Sequence, residues 1–427
     1  MMIRTMFRSA LLLGLTMTAS AWAADAPGAG EYIARAADCV ACHSVPGGRA
    51  FTGGLKMGTP LGAIYATNIT PDKETGIGGY SLADFDRAVR GGVAKDGRHL
   101  YPAMPYPSYA RLTDADIAAM YGYFMHEVPA VQHQNTPNEI PAYLAIRWPL
   151  AIWNALFAGV GPFTPDPAHD AVWNRGAYLV QGPGHCGACH TPRGLAWQEK
   201  ALDDHGSAFL AGAPLDGWSA SDLRGDARTG LAGWSVADIV AFLGQGHNHD
   251  GAAFGSMVDV VNNSTPYLTA ADLTAIATYL KSLPPTASQP AYVYDNATTA
   301  LLRQDRASGG AAVYAANCAS CHGADGKGFS PYLPRVAGNP TVLEPDPSSL
   351  INITLNGSAP LVVKGAPEGY RMPQFRLQLT DAQIADVLSF IRDGWGNGAG
   401  AVTQMQVGAL RASTDPTSDQ VTILKMR

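Results

Sequence analysis

Apolar residues recur at helical spacing in three stretches of this chain, each opened by the same polar signal. Ile117, Met120, Tyr121 and Phe124 form the first face, Ile276, Tyr279, Leu280 and Leu283 the second, and Val387, Leu388 and Ile391 the third. Ahead of them stand Leu112-Thr113-Asp114-Ala115-Asp116-Ile117, Leu268-Thr269-Ala270-Ala271-Asp272-Leu273 and Leu379-Thr380-Asp381-Ala382-Gln383-Ile384. Thr sits where an N-cap belongs, and the Asp or Gln three residues on can reach back to it as in a capping box. Pro129 and Pro284 end the first two helices, because proline lacks an N–H and its ring clashes with the preceding turn.

Each stretch closes a larger copy. Gly30-Glu31-Tyr32 and Gly176-Ala177-Tyr178 open short helices with small and aromatic residues on one face, and Tyr314 stands four residues before the first Cys of the third copy. These helices run into Cys39-Val40-Ala41-Cys42-His43, Cys186-Gly187-Ala188-Cys189-His190 and Cys318-Ala319-Ser320-Cys321-His322. The first two copies also share a middle helix, Gly79-Tyr80-Ser81-Leu82-Ala83-Asp84 against Gly233-Trp234-Ser235-Val236-Ala237-Asp238. No β-alternation of any length intervenes, so the expected fold class is all-α, in three tandem units. The copies place these units at 24–129, 169–283 and 305–396. A Pro- and aromatic-rich linker covers 130–168, a Pro/Thr/Ala-rich one covers 284–304, and 397–427 is left as a tail.

Residues 1–23 read as an export signal peptide. Arg4 and Arg8 supply a basic start, Leu11 to Leu15 a short apolar stretch, and Ala21-Trp22-Ala23 a cleavage site. That stretch is far below the roughly 20 residues that span a bilayer. The mature chain is therefore expected in the periplasm, and the cysteines must be read for an exported protein. Loss of Arg4 and Arg8 leaves 27 Lys+Arg against 35 Asp+Glu, a formal charge of −8. An acidic chain has no electrostatic route to nucleic acid, where affinity comes largely from neutralising phosphates. Charged residues are 15% of the chain, against about 25% in typical proteins, which fits sizeable apolar contact faces. With 47 Gly and 30 Pro, the expected body is short helices joined by long loops.

All six cysteines lie in Cys-x-x-Cys-His. Two Cys three apart sit about one helical turn from each other and can each form a thioether to a haem vinyl group. The adjacent His then offers its ring to the iron. With 11 His in 427 residues, the chance of His following all three pairs is about 2 × 10⁻⁵, which disfavours a disulfide framework. A thioredoxin-type motif needs a βαβ context, and structural zinc would leave the histidines idle. The expected cofactors are three haem c.

A haem used for electron transfer needs its sixth iron position closed, and Met there raises the potential. Each copy offers one Met between its Cys pair and its closing helix: Met104, Met257 and Met372. The expected axial pairs are His43 with Met104, His190 with Met257, and His322 with Met372. His99 and Met57 are rivals at the first site, and His247 and His249 at the second. His126, His133, His169, His185 and His205 are expected on the surface or in loops. The aromatic-aliphatic stretch Arg147 to Phe157 is too short and polar to span a bilayer. It reads either as packing, with Trp148, Trp153 and Phe157 buried, or as a segment lying in a membrane interface.

The units resemble class I cytochromes c. In that family the proximal His donates its other N–H to the carbonyl of a Pro about a dozen residues on. Pro334 sits there relative to His322, followed by Arg335-Val336-Ala337-Gly338, while the first two units have no Pro at that offset. Nearly all of the mature chain is similar to the triheme cytochrome c subunit of membrane-bound dehydrogenases of acetic acid bacteria and relatives. The similarity is densest in Thr59-Pro60-Leu61-Gly62, Thr67-Asn68-Ile69-Thr70-Pro71-Asp72, Gly76-Ile77-Gly78-Gly79, Arg90-Gly91-Gly92-Val93 and His99-Leu100-Tyr101-Pro102-Ala103-Met104-Pro105.

That resemblance implies a dehydrogenase catalytic partner with a flavin, PQQ or molybdenum cofactor. It also implies delivery of electrons to ubiquinone at the periplasmic side of the cell membrane, and peripheral membrane association. Some members end in a hydrophobic anchor, whereas Gln404 to Arg427 is mixed and polar. The competing readings are a haem enzyme such as a peroxidase, which needs an open iron position, and a free multihaem carrier.

Overall fold

The structure, a computed structural model, describes residues 28–415 apart from 60, 61, 144, 305–307 and 368. The export signal falls outside the described residues. The first copy holds α1 (Ala29–Ala36), α2 (Cys39–Cys42), the hairpin of β1 (Lys56–Thr59) and β2 (Gly62–Tyr65), α3 (Leu82–Gly91), α4 (Tyr106–Tyr109) and α5 (Asp114–His126). A bridging helix α6 (Pro149–Phe157) leads to α7 (Ala171–Gln181), α8 (Gly187–His190), the hairpin of β3 (Ala211–Leu215) and β4 (Trp218–Asp222), α9 (Val236–Gln245), α10 (Met257–Asn263) and α11 (Ala270–Ser282). After α12 (Ala297–Arg303) come α13 (Gly310–Asn317), α14 (Ala319–His322), α15 (Pro340–Leu343), α16 (Ser348–Asn356), the two-residue strands β5 (Val362–Val363) and β6 (Ala366–Pro367), α17 (Asp381–Asp393) and α18 (Gln404–Ser413).

The chain is mainly helical, but the all-α expectation needs correction: among the described residues three antiparallel hairpins interrupt the helices. Their strands run to five residues at most and are rich in Gly, Ala and Ser, so they carry no alternation signal.

In each copy the opening helix crosses the closing one: α1 on α5, α7 on α11, α13 on α17. A glycine makes each crossing close. A Cβ on Gly30 would lie 2.2 Å from the Ala119 carbonyl oxygen, one on Gly176 2.0 Å from that of Ala275, and one on Gly310 2.1 Å from that of Asp386. The third glycine escaped the sequence comparison because it precedes its tyrosine by four residues rather than two.

The closing helices bury the apolar faces read from the sequence, with Ile117, Met120 and Phe124 at 1–2% exposure. Thr380 and Gln383 form a full capping box. Thr113 and Thr269 cap their helices, accepting from the Asp116 and Asp272 amides, but neither closes a full capping box; Asp116 takes the Thr113 hydroxyl at 2.9 Å instead. Asp116 accepts from the Tyr178 hydroxyl of the second copy, and Asp272 accepts from Tyr32 of the first at 2.6 Å. Each opening helix thus bonds the other copy's closing helix. These reciprocal bonds accompany one continuous core running from Ile33 to Leu283, whereas the third copy has a core of its own.

The described parts of the linkers and tail are structured. Residues 131–139 fold back on the first hairpin, where Asn68 donates to the Val131 carbonyl at 2.8 Å and Lys56 pairs with Glu139 at 2.8 Å. Tyr292 and Thr298 hold Trp395, and Val402 and Val407 are buried in the third core, which therefore extends past residue 396.

Candidate haem sites

Each Cys-x-x-Cys-His is a single helical turn at the end of its opening helix. α2 follows Asp38, whose φ of 47° lets the chain reverse between α1 and the motif. In every copy the motif histidine's Nδ1 meets a backbone carbonyl: His43 to Thr67 at 2.7 Å, His190 to Ser221 at 2.7 Å and His322 to Pro334 at 2.9 Å. Such a bond fixes the tautomer and the ring, and leaves Nε2 as the ligating nitrogen. Burial lowers the basicity of all three rings despite the opposing carbonyl bond, so the neutral, ligating form prevails at neutral pH.

Pro334 is the acceptor that the class I resemblance implied. The other two acceptors were not assigned from the sequence, and both lie just beyond or within the second strand of a hairpin. Thr67 follows β2, and Ser221 belongs to β4. The next residue locks each carbonyl in place. Asn68 Oδ1 accepts from the Thr70 amide at 2.9 Å, and Asp222 Oδ1 from the Arg224 amide at 2.7 Å. This shared turn, Thr67-Asn68 and Ser221-Asp222, is a signal that a comparison of the copies would have found. The hairpins thus do in the first two copies what the proline loop does in the third.

None of the six cysteines is in a disulfide. Burial raises the thiols of Cys39, Cys42 and Cys186 to about 12, and those of Cys189 and Cys318 to about 11. Free thiols paired on one turn beside a fixed neutral imidazole fit a covalently held haem. They do not fit a reactive thiolate, which needs a depressed pKa.

Met104 packs on the core that includes Cys39, and Met372 on the core that includes Cys318. Met257, at the start of α10, packs instead with Val258, Val261, Ala359 and Leu361, a cluster that does not contain Cys186. Several rivals are engaged elsewhere. His249 has both ring nitrogens on carboxylates, Asp238 at 3.0 Å and Asp250 at 3.3 Å. The His99 ring meets Asn154 at 3.2 Å, and Met57 is buried in a separate cluster with Leu55 and Ile64. His185 lies in the loop ahead of α8, half-buried, with its ring packed edge-on against Tyr109 of the first copy.

Turns of this kind, each with its imidazole anchored from behind by a carbonyl, define a c-type cytochrome. The cytochrome c family profile matches residues 307–395, the copy that uses the proline acceptor. Over longer spans the chain is 54% identical to the gluconate 2-dehydrogenase cytochrome c subunit of Pantoea cypripedii, covering 90% of this chain and 88% of that one. It is 48% identical to the quinone alcohol dehydrogenase cytochrome c subunit of Gluconacetobacter polyoxogenes (97% and 91%), and 37% identical to the fructose dehydrogenase cytochrome subunit of Gluconobacter japonicus (90% and 82%). The chain belongs to this family of dehydrogenase cytochrome c subunits, and its role is electron transfer.

Proposed function

We propose that this protein carries three haem c groups and passes electrons from a dehydrogenase catalytic subunit to ubiquinone, at the periplasmic side of the cell membrane. The observation that carries the reading is the set of three anchored imidazoles. Cys39 and Cys42, Cys186 and Cys189, and Cys318 and Cys321 would supply the thioethers, with His43, His190 and His322 as proximal ligands. Met104, Met257 and Met372 would close the opposite positions, the first and third supported by their shared cores with Cys39 and Cys318. Bound there, haem supplies a one-electron couple whose potential the Met ligand raises. The chain's own part is to hold the rings, bury the thioether edges and exclude competing ligands. The relatives' printed names support a dehydrogenase partner oxidising an alcohol, a sugar or a sugar acid; the resemblance implies a PQQ, flavin or molybdenum cofactor in that partner.

Among the described residues no helix is long and apolar enough to cross a membrane. We place peripheral attachment on α6. Its two faces differ from either sequence reading. Trp153 donates to the Ala196 carbonyl at 2.7 Å and packs on Tyr106 and Phe157, so this face is turned inward. Trp148, Ile152 and Leu156, four residues apart, are 67, 55 and 68% exposed and form one outward ridge. No acidic residue occurs between Glu139 and Asp166, so nothing on this segment repels an anionic lipid surface.

Intact mass and a pyridine haemochrome assay on the mature protein test the haem count, with three thioether-bound haems per chain expected. Met104→Ala, Met257→Ala and Met372→Ala should each lower one potential and open one iron to carbon monoxide. Fewer than three haems, or wild-type potentials in all three variants, would overturn the assignment.

A further inference from the structure

Building on the reading that electrons leave this chain to a quinone, we propose that the cleft between the end of α6 and residues 199–203 binds the quinone ring, and that Glu199 gives it a proton. The cleft has a volume of about 390 Å³. Leu156, Phe157 and Val160 make one wall apolar, and Glu199 to Asp203 form the other.

Glu199 is the residue that packing does not explain. Its side chain is 5% exposed, and its Oε2 has no hydrogen-bond partner. Arg193 stands 4.0 Å from Oε1, with its own donors on the Ala188 and Trp197 carbonyls. Buried with one oxygen unbonded and its nearest cation 4.0 Å away, a carboxylate holds its proton rather than its charge. Burial, only partly opposed by Arg193, lifts its pKa to about 7. A group poised there is suited to general acid catalysis near neutral pH.

The carboxyl also lies against the second motif. A Cβ on Gly187 would sit 2.4 Å from Oε2, and Gly187 lies between Cys186 and Cys189. One side chain therefore separates the cleft from the turn that carries His190. The other charged groups facing the cleft are Lys200, which is exposed, and Asp203, which is paired with Arg111 at 2.6 Å. Leu156 belongs both to the cleft wall and to the exposed α6 ridge, so a lipid-dissolved ring can reach the cleft along apolar surface.

The reaction balances as a two-electron, two-proton reduction. The quinone would accept two electrons, one at a time, from the one-electron couple that a haem held by Cys186, Cys189 and His190 would supply. One carbonyl oxygen takes the Glu199 proton, and the other takes a proton from water at the mouth of the cleft. Water then reprotonates Glu199.

The test uses the purified, fully haem-loaded protein and a short-chain azido-ubiquinone. Photolabelling of wild type should map to residues 155–160 or 199–203 and be competed by decylubiquinone, and Leu156→Glu should abolish it. Glu199→Gln should keep the labelling and the haem spectrum. It should also lose at least tenfold in the rate at which the reduced protein forms quinol. In wild type that rate should fall as pH rises through about 7, as Glu199 loses its proton, and in the variant this limb should be gone. Labelling elsewhere, with quinol still formed, overturns the site while leaving the electron-acceptor reading intact. Labelling at the cleft without quinol formation by wild type overturns the acceptor reading. Full activity in Glu199→Gln removes the proton role and leaves the carboxyl a structural neighbour of the haem.

Discussion

Asp272 ties the first two copies together, and removing it should loosen both at once. Its carboxylate accepts from Arg175 Nε at 2.8 Å and Nη2 at 2.7 Å, and from the Tyr32 hydroxyl of the other copy at 2.6 Å. Hydrogen bonds to a charged group are worth about 1.5–3 kcal/mol each when buried. The Arg175 side chain is 37% exposed, so its share is screened to about 1 kcal/mol, while the Tyr32 bond keeps about 1.5 kcal/mol. Asp272→Ala should therefore cost about 2–3 kcal/mol, or about 5–10 °C in Tm for a cooperative unit of this size. Burial works against the charge of Asp272, but the Arg175 and Tyr32 bonds outweigh it and hold the pKa below the usual carboxylate range. The stabilisation is thus complete at neutral pH and fades as pH falls through that depressed pKa. Calorimetry at pH 7 and pH 3 on wild type, Tyr32→Phe, Asp272→Ala and the double variant measures the coupling, expected at about 1 kcal/mol or more at pH 7 and smaller at pH 3. Additive effects within about 0.3 kcal/mol, or a shift in only one copy's unfolding, would refute a shared core locked by this bond.

The helix crossings make a second prediction. Gly176→Ala places a methyl 2.0 Å from the Ala275 carbonyl oxygen and should destabilise by about 1–3 kcal/mol in urea titration; a neutral result would mean the helices can part freely. On α6, a Trp148→Ser, Ile152→Ser, Leu156→Ser variant should release cytochrome into the soluble fraction with haem content and Tm unchanged. Trp153→Ser should lower Tm instead, since its indole is bonded and packed inward. Unchanged membrane association in the triple variant would return the ridge to a protein contact.

Much of this protein was legible along the chain because its signals are local. The caps at Thr113, Thr269 and Thr380, the apolar faces behind them and the Cys-x-x-Cys-His turns depend on residues within a few positions of each other, and each formed, with the full capping box only at Thr380. The histidine acceptors were legible only where the spacing is short and marked by proline, at Pro334. Thr67 and Ser221 act through backbone carbonyls 24 and 31 residues from their histidines, and a carbonyl leaves no trace in residue identity. Only the tertiary structure decided that Asp116 and Asp272 accept from a tyrosine of the opposite copy, because a partner across an interface offers a hydroxyl that no local pattern announces. It also decided which face of α6 is covered, since Trp153 and Trp148 look alike in sequence and differ only in what lies beside them. The sequence by itself determined the locally capped helices and the Cys-x-x-Cys-His turns. Packing of the copies against one another decided where the charged and aromatic side chains point, because those positions are set by contacts between residues far apart in the chain.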